Sequence, residues 1–446
     1  MESVLQHPLY KIILCDFINP VGDKKARLQR DGAIVLIRGK DQGECAYKIV
    51  ETGACKEILP KYSNKRSIEI LEMNGKMALP GFFDMHFHWV QDAVCLMPKD
   101  SLLKWLSDYT WPYEAKFKAR GFSSRKSREF AEKLLSVGTV GGACYSSVHS
   151  HAVDDAFRYF LGDFVIGNVL MTENSPRTLI QSEKEALSLV SKKAKKYRQR
   201  YALTPRFAIT VSPEIMKKTA SIARKYGTFI QTHLSETKKE IKTVLDIFNG
   251  CSDFQTVETY TEVYYKCRIL GPKTIVGHAI HLCDSEFDIL QKTNTSIAHC
   301  PTSNAPVREL GLGSGLFDFR KIEKKGIRWA LATDIGGGPY LSMFDVMHSF
   351  VKQNRKKGIM EATYTKALSR ATISGAGILG LHKTHGSLAN GKFANIIFVE
   401  SPGLKKGENA ECVLERLLGQ RGRKRSDCDN MVLNTIYKGH QVYFRD

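Results

Sequence analysis

From about residue 80 to about residue 380, short apolar runs alternate with longer segments whose apolar positions recur at helical spacing. That texture predicts βα units wound around a parallel sheet. Eight runs read as strands: GFFDMHFH, TVGGACYSSVH, DFVIGNVLM, RFAITVS, TFIQTHLSE, TIVGHAIHL, TSIAHCP and IRWALATD. Eight strands are the number that closes a (β/α)8 barrel. Between them, EIMKKTASIARKYG sets Ile215, Met216, Ala220, Ile222 and Ala223 at helical spacing, with Gly227 as a stop.

The flanks read differently. Residues 1 to about 78 carry short β-branched runs, YKIILCDFI, GAIVLIRG, YKIV and SIEILEMNGKMALPG. Strand texture returns after residue 385 in FANIIFVES and VLNTIYKGHQVYF, separated by a basic, helix-capable insertion at about 408–427. The expected fold is α/β: a TIM-like (β/α)8 barrel over 79–384, with a small β-sandwich built from both ends of the chain, 1–78 and 385–446.

A hydrophobic fraction of 43% with 10% aromatics supports a large core and excludes a disordered chain. Eleven cysteines without a CxxC pair point to reduced thiols in the cytoplasm and against a zinc ribbon. No run approaches the roughly 18 apolar residues of a membrane span, and the first residues lack a basic leader and a cleavage site. The formal charge of +20 would attract polyanions at low salt. Its densest clusters, KKAKKYRQR at 192–200 and RGRKR at 421–425, are not interleaved with several aromatics and read as solvated faces, so nucleic acid is not the expected partner.

The candidate chemistry begins at His86 and His88, which end the first strand. Positions i and i+2 face one way, so two imidazoles about 7 Å apart along the backbone can share one ion. They stand at the C-terminal strand end, where barrels assemble their sites. Among 13 histidines such a pair alone is weak, and His149 and His151 in CYSSVHSHAVDD repeat it. The first pair, however, has company at later strand ends: His233 in FIQTHLSE, His278 in TIVGHAIHL and Asp334 in WALATDIGGG. Each closes an apolar run, where an unpartnered polar side chain is costly to bury. A catalytic zinc needs three or more N/O ligands and a position open to water. One ion is therefore expected on His86, His88, His233, His278 and Asp334; these ligand types suit Zn²⁺, and Fe²⁺ equally.

His149 and His151 run into polar, helix-starting sequence and are not expected as ligands. His299 ends the seventh strand and is expected to hydrogen-bond the substrate or the oxygen on the metal, whereas His281 is expected to pack elsewhere. Glu236, three residues past His233, is the expected proton shuttle for an attacking water.

HFH, TH, GH and ATD on strands one, five, six and eight together resemble the mononuclear amidohydrolase superfamily. GSLANGKFANIIFVE resembles its C-terminal signature, with Asn395 standing where an acidic residue is usual. Within the superfamily the chain from about residue 70 onward is most similar to the guanine deaminase family. HFHWVQ, LLKWLSDYTWPYEAKF, TPRFAIT, SIAHCPTSN and TDIGGGPYLSMFDVM carry that likeness. The resemblance implies zinc on the five residues above, and Gln91, Arg206 and Phe207 holding guanine. It implies water attack at C2, with Glu236 passing a proton to the ring and Asp334 steering the hydroxide, to give xanthine and ammonia. It also implies a homodimer. Two other readings stay open: a sister enzyme acting on another aminopurine, pyrimidine or triazine, and a nucleic-acid-binding protein on an inactive scaffold.

Overall fold

The computed structural model describes residues 7–419 and 428–445. The chain divides into two compact units, one made of Met1–Phe83, Glu132–Val140 and Gly358–Asp446, the other of Asp84–Ala131 and Gly141–Lys357.

The first unit holds a seven-stranded sheet. Its strands are β1 (Tyr10–Gly22), β2 (Lys25–Asp41), β3 (Glu44–Ala54), β4 (Ile68–Pro80) and, from the far end of the chain, three more. Alternation sends Ile13, Phe17, Ile34 and Leu36 into one core and Ile12, Ala33 and Val35 to the opposite face, where Ile58 of the helix Cys55–Tyr62 covers them. That helix, CKEILPKY, has no counterpart in the hydrophobic pattern. The sheet folds back on itself: Tyr47 N donates to Lys438 O at 2.8 Å and Ala394 N to Tyr47 O at 3.0 Å. Its two ends thereby enclose a single core, joined by Ile396 and Phe398. Asn395 accepts the Lys438 N–H on its side-chain oxygen at 2.8 Å and serves this sheet.

Eight parallel strands follow in chain order: β5 (Phe82–His88), β6 (Thr139–Ser146), β7 (Asp163–Leu170), β8 (Ala202–Pro205), β9 (Phe229–Leu234), β10 (Thr274–His278), β11 (Ser296–His299) and β12 (Trp329–Leu331). The seam between β5 and β12 is closed by a few bonds: Asp334 N to His86 O at 2.8 Å, His88 N to Ile335 O at 3.3 Å, and Thr333 N to the Asp84 carboxylate at 3.0 Å. The remaining sheet strands are β13 (Ile396–Glu400), β14 (Val432–Tyr437) and β15 (His440–Phe444), and the full order is β15-β14-β13-β4-β1-β2-β3.

Seven of the eight expected barrel strands lie where the apolar runs place them, with ends trimmed. The fourth is corrected. RFAITVS forms no strand; the ladder uses Ala202–Pro205 just before it, and residues Ala208–Thr210 make a 3-10 turn. Beyond Pro205 the backbone leaves the ladder, so that Arg206 O receives both His233 N and His233 Nδ1. The apolar residues after it are buried by tertiary packing instead, with Ala208 N bonded to the Tyr260 hydroxyl at 3.0 Å. The expected helix lies at Pro213–Tyr226 and ends at Gly227 in the left-handed conformation, φ +66°. Part of the expected insertion is a helix, Ala410–Gly419; the RGRKR run lies outside the described residues. No helix among the described residues is long and apolar enough to cross a membrane.

Candidate active site

Strand ends β5, β9 and β12 bring His86, His88, His233 and Asp334 to one point. His88 Nε2 lies 3.2 Å from both His86 Nε2 and His233 Nε2, and Asp334 Oδ1 lies 3.3 Å and 3.5 Å from the Nε2 atoms of His86 and His88. Ligands about 2.0–2.1 Å from a tetrahedral ion stand roughly 3.4 Å from one another, so this spacing suits a small divalent cation. Burial lowers the pKa of His86 and His233 to about 3, and that of His88 well below its ordinary value, leaving neutral rings with lone pairs to offer. His233 Nδ1 donates to the Arg206 carbonyl at 2.6 Å, which turns its Nε2 lone pair inward.

His278, at the end of β10, approaches from the side. Its Nε2 lies 3.9 Å from Asp334 Oδ2, is buried, and has no hydrogen-bond partner among the described residues. It groups with Asp334 and Cys300 rather than with the other three histidines. Gly277 leaves room for this arrangement, because a Cβ there would come within 2.7 Å of the His86 ring. Ser235, His278, Ala279 and Asp334 all hold positive φ, at 48°, 67°, 52° and 49°. Such backbone is costly and collects where a side chain must be aimed.

The donors border a cavity also lined by Gln91, Trp105, Arg206, Phe207, Glu236 and Glu240. Arg206 is buried, and its Nη1 donates to both oxygens of the buried Glu114 at 3.0 and 2.8 Å. Gln91 Nε2 donates to the same carboxylate at 2.7 Å. Glu114 stands within LLKWLSDYTWPYEAKF and was not singled out from sequence; its signal is a carboxylate set among aromatics, which had no visible partner.

Glu236 faces the cavity with its Oε1 accepting from Asn304 Nδ2 at 3.2 Å, and it lies 3.4 Å from His278 Nδ1. Burial first, then the charges of Asp334 and Glu240, hold its carboxyl well above the usual range. Glu240 accepts from Glu236 N at 2.9 Å and Thr237 N at 3.3 Å, and burial raises it to about 7. The signals for Asn304 and Glu240 lay in the SIAHCPTSN stretch that ends at Asn304 and in the Thr237-x-x-Glu240 capping-box spacing.

The remaining histidines separate. His299 stacks on Phe317 with ring centroids 4.2 Å apart, in an aromatic nest with Trp329 and Phe350, and is not among the residues lining the cavity. His149 and His151 stack on each other at 5.9 Å, and His151 Nε2 bonds the Phe117 carbonyl at 2.8 Å. They share no donor group with His86. His281 is half-buried at an outer hollow beside Lys238 and Ser314. The basic run at 192–200 is partly neutralised, with Lys193 and Lys196 both on Asp154 at 2.6 and 3.1 Å.

The chain is similar to guanine deaminases. It is 32% identical over 403 residues to guanine deaminase of Escherichia coli (strain K12), covering 86% of this chain and 87% of that one. Among solved structures, E. coli guanine deaminase superposes with a TM-score of 0.85 at 28% identity, covering 98% of this chain and 100% of the other. Guanine deaminase from C. acetobutylicum with bound guanine in its active site gives 0.84 at 25% identity, covering 97% and 100%. Residues 77–442 match the model of the amidohydrolase family, and the chain belongs to that family.

Proposed function

We propose that this chain is a guanine deaminase, which hydrolyses guanine to xanthine and ammonia. The reading is supported by one juxtaposition above all: a cluster of neutral imidazoles and a carboxylate shares its cavity with an Arg206–Gln91 pair able to read a purine edge. The similarity to guanine deaminases over most of the chain agrees with it.

His86, His88, His233 and Asp334 would hold the metal, with His278 completing the set beside Asp334. Zn²⁺ fits these donors, and Fe²⁺ suits them too. A bound divalent cation lowers the pKa of water from 15.7 toward about 7. The side chains then act as follows. Arg206 and Gln91 orient the base through its polar edge, and Phe207 packs beside it. Water adds at C2, forming a C–O bond, while Glu236 takes the water proton and passes it to the ring nitrogen next to C2. The remaining hydroxyl proton passes to the amino nitrogen, the bond from C2 to that nitrogen breaks, ammonia leaves, and the carbonyl of xanthine remains. Asp334 orients the attacking oxygen. A carboxyl whose burial favours the protonated form can carry that proton between two positions.

We read residues 79–384 as the catalytic domain, with 1–78 and 385–446 as the small β domain. The chain is read as a cytoplasmic homodimer; all eleven cysteines are unpaired, as a reducing compartment allows, and the dimer rests on the family resemblance. The test is ammonia release from a panel of free bases, with and without a chelator. Guanine should be turned over well ahead of adenine and cytosine, and only without the chelator. Equal or faster release from adenine would sink the assignment.

A further inference from the structure

Glu114 is fully buried and lies far along the chain from both of its partners. One carboxylate holds Arg206 Nη1 by both oxygens, at 3.0 and 2.8 Å, and Gln91 Nε2 at 2.7 Å. A carboxylate in an ion pair only accepts, so the Gln91 amide has no freedom to turn: its NH₂ must face Glu114. The Gln91 oxygen is left for the cavity side, and it lies so close to Gly336 that a Cβ there would come within 2.4 Å of it. Arg206 commits one nitrogen to Glu114, so its Nη2 and Nε bond no carboxylate among the described residues. The wall of the cavity thus presents an acceptor from Gln91 beside donors from Arg206 in one fixed order.

The geometry points to Glu114 as the positioning residue that sets substrate specificity, by fixing this donor and acceptor order against the N1–C6 edge of a 6-oxopurine. The inference rests on the guanine deaminase reading. Guanine offers a donor at N1–H and an acceptor at O6, which complements the wall. In 2,6-diaminopurine the same amino group sits at C2, but N1 accepts and the 6-amino group donates, so both bonds are inverted. A buried site that hydrogen-bonds its substrate rejects such an analogue strongly, because its own polar groups are left unpaired.

The test compares kcat and KM for guanine and 2,6-diaminopurine in the metal-loaded enzyme and in Glu114→Gln. An amide at 114 can offer its NH₂ to the Gln91 oxygen, freeing Gln91 to turn. Guanine KM should rise about tenfold with kcat within about threefold, and the guanine preference in kcat/KM should narrow by about tenfold or more. Metal content should not change. In a Gln91→Leu background the same substitution should alter the preference by less than about threefold, since the group it orients is gone. Gln91→Leu alone should narrow the preference as much as Glu114→Gln does, which keeps the inference testable if the latter does not fold. An intact preference in either single variant overturns the inference, as does a fall in kcat alone or a loss of metal. If the unsubstituted enzyme turns over guanine, the functional reading stands whatever the variants do; if it turns over neither base, both fall together.

Discussion

In the proposed reaction, turnover depends most directly on Glu236. Its carboxyl is held by Asn304 at 3.2 Å and Ser314 at 3.5 Å, beside His278, so Gln fits the same space and keeps an acceptor for both donors. Glutamine cannot shuttle a proton. Glu236→Gln should therefore bind metal as the parent does, measured by metal analysis after gel filtration, while kcat falls by about 10²- to 10⁴-fold. Retained turnover would show that another carboxyl does this work. The proposed metal donors were legible because each is a polar residue closing an apolar run, as His233 does in FIQTHLSE. Glu114 was not legible in the same way. Its partners Arg206 and Gln91 lie on other segments, and only tertiary structure turns a carboxylate among aromatics into the hinge of a polar triad.

At the scale of elements, the helix Lys238–Asn249 aims Glu236 through its first turn. Thr237 and Glu240 form a capping box, and Glu240 also receives the Glu236 N–H. Its carboxyl is raised by burial from 4.5 to about 7, which has a consequence for stability. Between those pH values the folded chain keeps a proton that the unfolded chain has released, so folding stability falls as pH rises, by at most about 1.4 kcal/mol per unit. Below that window both states are protonated and above it both are charged. Gln at 240 is neutral throughout and keeps an accepting oxygen. In metal-free protein, the melting temperature of Glu240→Gln relative to the parent should climb from pH 4.5 to about 7 and then level off. A difference that stays flat across the window would mean the carboxyl is not held in its neutral form. Elements were legible where period alone decides them, as in Pro213–Tyr226. They were misread where burial does not imply a ladder: RFAITVS has the composition of a strand, but Pro205 ends the pairing and the next residues are buried as a turn. The two HxH pairs are equivalent as strings and differ only in surroundings, since His151 spends its nitrogen on the Phe117 carbonyl.

Across the whole barrel, the donor set joins the first strand to the last. His86 and His88 end β5, Asp334 follows β12, and the seam between these strands has few backbone bonds of its own. His88 Nε2 stands 3.2 Å from the Nε2 atoms of His86 and His233, and Asp334 Oδ1 stands 3.3 and 3.5 Å from His86 and His88, so a cation at the centre of this group would draw on all four lone pairs at once. The folded barrel gathers these ligands, and the unfolded chain scatters them. Binding free energy therefore adds to folding free energy, by about 4 kcal/mol when the free ion exceeds its dissociation constant a thousandfold. Chelation should lower the melting temperature by several degrees and abolish turnover, and added Zn²⁺ should restore both. In Asp334→Asn the same addition should move the melting temperature much less, because the ligand that spans the seam has lost its charge. His149→Ala, outside the donor group, should respond to Zn²⁺ as the parent does. A Zn²⁺ shift of equal size in the Asp334 variant would mean the ion that stabilises the barrel sits elsewhere.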